Sequence, residues 1–478
     1  MKRPCRRARR SRPGPLLLVA ASLLAAGCVS SSSSVSHERP LDTRDLALTG
    51  PTYTVPADGW WRALDDPQLD RLVGTALARN PGLAGSIARV RSAQALAAAA
   101  GSVDSPQVTF DASEFRTRVS ENYIFPPPYG GGTYWDGRLG FNLAWHLDFW
   151  GRQAALVAQV ERGADAAALD AAGAELLLSG SVTQAYVEYA RALLLEQVAL
   201  AAQAQRRALV DLTLQRVSAG LDSQAEARTV EGNLEQAAVD IEQARLARQA
   251  AEHALAALTG ASAAAAPDLA TPALDFERAL PLPAALPADL LARRPDVRAA
   301  RMRVDAAVAG RAAAHASFYP NVDIVGFAGL TAIGLDRLLE GDSLQWSVGP
   351  AIHLPVFDAG RLKAEYRRSG ADVDVAVAAY NETVLRAVRE AADQVSRVRS
   401  LDLQLAAQAR SLEAAESAHA LALQRYSAGI ANQLTVLNTE TQLLAARRQR
   451  TQLLADRTGA RVALLVALGG HLLQEPAR

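Results

Sequence analysis

Between Tyr134 and Leu147 the chain alternates. Trp135, Leu139, Phe141, Leu143, Trp145 and Leu147 share one parity, with Gly137 between them, and Asp136, Arg138, Asn142 and His146 share the other. A period of two puts these sets on opposite faces of a strand, as lipid outside and water inside require. A partner strand is read over 106–119, led by Val108, Phe110 and Ala112; Phe115 and Val119 fall on the opposite parity, so a bulge is expected. The stretch Pro126-Pro127-Pro128-Tyr129-Gly130-Gly131-Gly132 joins the pair as an exposed loop. Two further strands are read over 321–330 and 343–354, the latter with Leu344, Trp346, Val348, Ile352 and Leu354 on one face. Pro350 shares that face, so there the strand gives up a ladder donor.

Elsewhere the period is helical. Arg152 to Val217 and Arg361 to Tyr426 are two stretches of 66 residues without a proline. At ~1.5 Å per residue each makes a rod of about 100 Å, far beyond an ordinary globular helix. In the second, Val384, Val388, Ala391, Val395 and Val398 step by 4, 3, 4 and 3, a coiled-coil seam. The first rod ends in Gln215-Arg216-Val217-Ser218-Ala219-Gly220, and 209 positions later the second ends in Gln424-Arg425-Tyr426-Ser427-Ala428-Gly429. Glycine after a helix end marks a left-handed cap and a reversal. Return helices are read over 222–259 and 432–468. Shorter helices are read over 68–78 and from Pro81 to about Val103, the latter with proline in its first turn.

The layout repeats. Leu77-Ala78-Arg79-Asn80-Pro81 corresponds to Leu291-Ala292-Arg293-Arg294-Pro295, and Ser105-Pro106-Gln107-Val108 to Tyr319-Pro320-Asn321-Val322, both at a spacing of 214. The chain thus divides into an N-terminal segment (28–79), a first repeat (80–260), an Ala/Pro-rich linker (261–293), a second repeat (294–469) and a tail (470–478). Each repeat is helix, β-hairpin, long helix, tip turn and shorter helix. Four strands cannot close a barrel, and open edges are forbidden in lipid, so the chain must oligomerise. Two copies give eight strands, a barrel normally filled by side chains; three give twelve, and a pore favours three.

Composition adds an export signal. Lys2, Arg3, Arg6, Arg7, Arg9, Arg10 and Arg12 precede an apolar run from Pro15 to Leu24 and then Ala25-Ala26-Gly27-Cys28. This is a basic region, an apolar core too short to span a membrane and a small-residue cleavage site, so 1–27 is read as a removable leader. Cys28 is then the single cysteine of the mature chain, and no intrachain disulfide is possible. Its position resembles a bacterial lipobox, with Ala25 where Leu is more usual, and implies a covalent lipid on Cys28. Val29 follows it instead of the Asp that commonly retains lipoproteins in the inner membrane. Ser30 to Ser36 reads as a flexible tether. Without the leader the chain holds 43 basic and 50 acidic residues, which argues against nucleic acid as a partner.

The Cys28 leader, Arg294-Pro295-Asp296-Val297, Phe318-Tyr319-Pro320-Asn321, Gly349-Pro350 through Pro355-Val356-Phe357-Asp358-Ala359-Gly360-Arg361, the two Ser-Ala-Gly tips and Ala467-Leu468-Gly469-Gly470 together resemble the TolC-like outer-membrane factors. Within these the chain is most similar to the lipoprotein branch that works with RND efflux pumps. The resemblance implies a mainly α chain with membrane β structure: a homotrimer with a twelve-stranded barrel in the outer membrane and a periplasmic helical tunnel. An equatorial belt would come from the N-terminal segment, the linker and the tail. It also implies a periplasmic adaptor and an inner-membrane transporter of RND type as partners, and a passive exit duct. The tips, Ser218, Ala219, Gly220 and Asp222 with Ser427, Ala428 and Gly429, would seat the adaptor and form the mouth. Family members often carry acids just after the second tip; the matching positions here are Thr435 and Asn438, so an acidic ring is not expected, and Asp222 is the nearest acid.

No nucleophile elbow, phosphate loop, dinucleotide fingerprint or Cys/His metal cluster occurs, so neither enzyme activity nor a cofactor is expected. His146 and His353 lie on polar strand faces without a second ligand at strand or helix spacing, and read as solvated lumenal residues. Asp148 and Asp358 read as caps of the long helices. Trp135, Trp145, Trp150 and Trp346 read as markers of membrane interfaces. The rival readings are a secretion duct for polypeptides and a structural periplasmic coiled-coil lipoprotein; the latter has no use for a strand such as 134–147.

Overall fold

The computed structural model describes residues 38–42, 46, 59–122, 124, 126, 129–265, 269–278 and 293–470. The leader, Cys28 and the serine tether lie outside the described residues, as do linker residues 279–292 and tail residues 471–478. In chain order the elements are α1 (Pro67–Arg79), α2 (Pro81–Gly101), β1 (Gln107–Arg118), β2 (Thr133–Leu147), α3 (Arg152–Ser218), α4 (Gln224–Leu258), α5 (Pro295–Ala316), β3 (Asn321–Ile333), β4 (Leu344–His353), α6 (Arg361–Ser427) and α7 (Gln433–Ala467). The long helices α3 and α6 hold 67 residues each, and their returns α4 and α7 hold 35 each. The chain divides into two units. One contains 95–161 and 304–377; the other contains 40–94, 162–303 and 378–478.

The first unit is organised on one antiparallel sheet in the order β1-β2-β3-β4. Its registers carry the alternation across all four strands: Phe110 faces Phe141, Phe141 faces Ala328, and Ala328 faces Trp346. Val108, Trp145, Ile324, Val348 and Ile352 share that face. Exposure is large there, 57% at Phe110, 72% at Trp346 and 71% at Ile352, so the face is an unburied apolar surface. On the opposite face Asn142 donates to Asp111, and His146 meets Asp323 at 2.7 Å. There Arg138 also stacks 4.0 Å from the Phe327 ring. That ring occupies space left by two glycines, since a Cβ on Gly140 would sit 2.7 Å from it.

Two expectations need correction. The bulge at Phe115 is absent: the β1–β2 ladder runs unbroken from Gln107 opposite Ala144 to Arg118 opposite Thr133. Phe115 instead stands on the polar face, 63% exposed. The unbroken register leaves Phe115 on the polar face and Glu114, Arg116 and Arg118 on the apolar one, at the loop end of the strand, and so avoids the unpaired backbone groups a bulge would create. β3 also continues past 330, because Thr331, Ala332 and Ile333 pair with Arg138, Gly137 and Asp136. Pro350 does fall in β4, at the sheet's edge, where a missing donor is tolerated.

The second unit is helical. Over residues 373–398 of α6 the buried residues are Val373, Val377, Tyr380, Val384, Ala387, Ala391 and Val398, of which Val373 and Val377 belong to the sheet unit's share of the helix. The heptad spacing is as expected, but the fully buried position is Ala387 and not Val388. A core of Trp60, Leu69, Val73, Tyr186, Leu255, Phe276 and Leu465 joins the N-terminal segment and linker to the long helices. Asp66 organises it. Its carboxylate caps α1 through the N–H groups of Gln68 and Leu69, and accepts from Tyr186 Oη at 2.7 Å and from Ala273 N at 2.9 Å. The two repeats are closed by equivalent contacts, as Asn80 Nδ2 donates to the Leu258 carbonyl at the end of α4 and Arg294 Nη1 to the Ala467 carbonyl at the end of α7. Both groups satisfy carbonyls that a helix end leaves without a partner.

Candidate functional site

Each long helix reverses in the same way. Gly220 has φ 75° and Gly429 φ 76°. Gly220 N–H donates to Val217 O at 3.0 Å and Leu221 N–H to Arg216 O at 2.9 Å. Gly429 and Ile430 repeat the pattern on Tyr426 and Arg425, both at 3.0 Å. These are Schellman caps, and the left-handed residue in each is the glycine read from the sequence. Ser218 and Ser427 bond back to Gln215 and Gln424, so both hydroxyls terminate their own helices. Ala219 and Ala428 donate to the same two carbonyls. The return helices then start on Ser223, in a reciprocal capping box with Glu226, and on Asn432, whose side chain accepts from Thr435 N.

The structure joins the tips through side chains. Arg216 from α3 grips Asp222 with two bonds, at 2.8 and 3.1 Å, and donates to the Tyr426 carbonyl at 3.0 Å. Its guanidinium lies 4.3 Å from the Tyr426 ring centre. The Tyr426 hydroxyl donates to Asp222 at 2.5 Å and contacts Thr213 at 3.3 Å. Gln433, the first residue of α7, bonds to Thr213 and to the Glu226 carbonyl of α4, both at 3.2 Å. Tyr426 and Thr213 are fully buried, above an apolar layer of Leu209, Val210, Val230, Ala422 and Val436. The donated hydrogen bonds from Arg216 hold the Asp222 carboxyl below the usual carboxylate range, and Tyr426 assists. Burial, followed by the bond to Asp222, pushes the Tyr426 hydroxyl up.

This places the predicted residues differently from one another. Ser218, Ala219, Gly220, Ser427, Ala428 and Gly429 are exposed at the turns. Asp222 is not a free acid beside them, since its side chain is only 6% exposed and fully engaged. Thr435 spends its hydroxyl on Asn432 Oδ1 at 2.7 Å, and Asn438 is exposed one turn further along α7. A groove of about 780 Å³ runs between the tips, lined by Arg216, Asp222, Glu226, Arg425, Asn432 and Thr435 among others. Arg216, Thr213, Tyr426 and Gln433 were not singled out from the sequence. A signal existed: the two tip hexapeptides differ at a single place, Val217 against Tyr426.

The two aspartates before the long helices cap them as expected. Asp148 accepts from Ala154 N, and Asp358 from Gly360 N and Leu362 N, at the starts of α3 and α6. Trp135, Trp145, Trp150 and Trp346 are all more than a third exposed, not core. No helix among the described residues is long and apolar enough to cross a membrane.

Known proteins share this fold. The outer membrane efflux protein family matches residues 72–261 and 286–470. The chain is 37% identical over 370 residues to the fusaric acid resistance protein FusA of Burkholderia cepacia, covering 75% of this chain and 69% of that one. It is 30% identical over 481 residues to the multidrug resistance outer membrane protein MdtP of Shigella flexneri, covering 96% of each. The crystal structure of the outer membrane protein VceC from Vibrio cholerae superposes with a TM-score of 0.81 at 31% identity, over 88% of this chain and 100% of that one. The chain therefore belongs to the outer membrane efflux protein family, and it is an efflux channel protein of the outer membrane.

Proposed function

We propose that three copies of this chain close their sheets into one twelve-stranded barrel and their helical hairpins into a periplasmic tunnel, with a lipid on Cys28 as a second anchor. The observation that carries this reading is the sheet. It has one face that is apolar apart from Glu114, Arg116 and Arg118 at the loop end of β1, one polar face, and two free edges, β1 and β4, which a neighbouring copy can pair. The duct is passive. Substrate arrives from an inner-membrane transporter of RND type through a periplasmic adaptor seated on the tips, in the groove lined by Arg425, Asn432 and Thr435. The names of FusA and MdtP favour small toxic organic molecules as cargo over polypeptides. The Arg216–Asp222–Tyr426 link ties the two hairpins of one chain and holds the mouth narrow, doing the work that Thr435 and Asn438 cannot do as acids.

Detergent-extracted protein should have the mass of three chains and conduct in planar bilayers, with small or intermittent conductance while the tips are linked. A stable monomer without conductance refutes the architecture. Cys28→Ser, with the leader retained, should abolish lipid labelling and leave trimers intact; label persisting on that variant removes the anchor from the proposal.

A further inference from the structure

Where the chain leaves β2 and enters β3, a cavity of about 700 Å³ opens in the sheet unit between the start of α3, the last turns of α5 and the start of α6. Its walls are aromatic: Trp150 stacks on Tyr319 with ring centres 5.0 Å apart and 17° between planes, and His315 lies 5.7 Å from Tyr366 and 5.9 Å from Tyr319. Trp150 is fixed by donating Nε1–H to the Pro320 carbonyl at 2.9 Å. Phe149, 67% exposed, stands at the rim. Two basic side chains line this cavity, Arg311 and His315, one turn apart on α5. Neither forms an ion pair with another described residue, whereas arginines elsewhere in the chain, such as Arg294 and Arg368, are paired with carboxylates.

An unpaired guanidinium beside an imidazole, walled by aromatic rings and next to the ends of strands with an exposed apolar face, fits a phosphodiester whose acyl chains lie along that face. We propose that this cavity binds the headgroup of an anionic glycerophospholipid, phosphatidylglycerol or its dimeric relative, from the membrane leaflet on the helix side of the sheet. Arg311 holds the phosphate, His315 and the Tyr366 hydroxyl add donors, and Phe149 lies against the first methylenes. The inference rests on the reading of the sheet as part of an outer-membrane barrel. It adds to that reading a lipid of defined charge at a defined place, and makes Arg311 a residue that seats the barrel.

Full-length protein reconstituted in phosphatidylethanolamine nanodiscs, with and without phosphatidylglycerol, tests this by native mass spectrometry of the released complex. The wild type should retain phosphatidylglycerol selectively. Arg311→Ala should weaken retention about five-fold, the share of one cation at a membrane surface. Tyr366→Phe should weaken it less, and Arg367→Ala, one residue away and outside the cavity, should leave it unchanged. Equal retention by Arg311→Ala and wild type overturns the site, as does equal loss in Arg367→Ala. Displacement of the lipid by millimolar inorganic phosphate would show an anion site without lipid preference. Loss of oligomer with unchanged lipid in Arg311→Ala would show a second copy in the cavity, and either result overturns the proposal. Single-channel conductance of Arg311→Ala separates the two readings: a conducting variant with unchanged lipid leaves the channel standing and removes the site.

Discussion

The two hairpin tips share a hexapeptide pattern, a Schellman cap, an N-capped return helix and lengths equal to the residue, yet one is held by charge and the other is not. In the first, Arg216 has Asp222 within two hydrogen bonds. In the second, Arg425 occupies the corresponding place, but the position matching Asp222 is Ala431, and Arg425 is exposed without an ion pair among the described residues. The tyrosine is reversed: the second tip has Tyr426, where the first has Val217. Backbone geometry was thus kept in both copies, while the parts of one polar link were divided between them. A duplicated fold leaves each tip capable of turning alone and makes the contact between hairpins depend on both.

The largest effect should come from making the hexapeptides alike. Tyr426→Val removes the hydroxyl from Asp222, the ring from beneath Arg216 and the lid over Leu209 and Val436. A buried large-to-small change with loss of a hydrogen bond to a charged group costs about 3 kcal/mol. Bilayer recordings should show longer open times, and chemical denaturation a lower midpoint with trimer mass retained. The reciprocal Val217→Tyr, at a half-buried position without an acid opposite, should change neither by a comparable amount. Equal effects from the two would show that the tips are interchangeable.

Next is Asp222→Asn, which keeps shape and removes charge, at about 1.5 to 3 kcal/mol for hydrogen bonds to a charged group. The same link can be broken by acid. Asp222 has a lowered folded pKa, so the stability it contributes is present above its unfolded value near pH 4 and is lost as pH falls through the folded value. Tyr426 has a raised one, so its contribution holds below about pH 10 and fades above. Wild-type channels should therefore open more as pH drops below about 4, and Asp222→Asn channels should have lost that response. An unchanged acid response in the variant places the titrating group elsewhere.

Much of this could be read from the chain because it is local or repeated. Helix bounds follow from long proline-free stretches closed by glycine at 220 and 429, and each ends within one residue of its expected place. The faces of β2 and β4 follow from parity alone. What could not be read was the cost of exceptions and the pairing of distant residues. Phe115 on the wrong parity suggested a bulge, because sequence shows a misplaced side chain but not the ladder that outweighs it. Asp222 read as a mouth acid because Tyr426, which with Arg216 encloses it, lies 204 residues away. The grip of Asp66 on Ala273 joins segments that no periodicity relates.

Gly220→Val and Gly429→Val probe what the tips share. A built Cβ meets nothing within 4 Å at either, so the whole cost is the left-handed backbone, about 1 to 2 kcal/mol for each. Trimer yield should stay near wild type, while export falls in both and crosslinks from Ser218 or Ser427 to an adaptor disappear. Full export with both valines present would show that the turns only terminate helices.

The smallest effect sharpens the comparison most. Ala431→Asp gives Arg425 the acid that Arg216 has, at the matching place in the second tip. Because Arg425 is exposed and no tyrosine lies over it, the new pair should be worth about 0.2 to 1 kcal/mol and should vanish in molar salt, where the screening length is about 3 Å. The Arg216–Asp222 pair, with side chains 12% and 6% exposed, should lose far less under the same salt. A double-mutant cycle of Ala431→Asp with Arg425→Ala, read from denaturation midpoints at low and high salt, isolates the new interaction. Coupling as strong and as salt-resistant as that of Arg216 with Asp222 would mean that sequence spacing alone builds the link, and that Tyr426 contributes nothing by covering it.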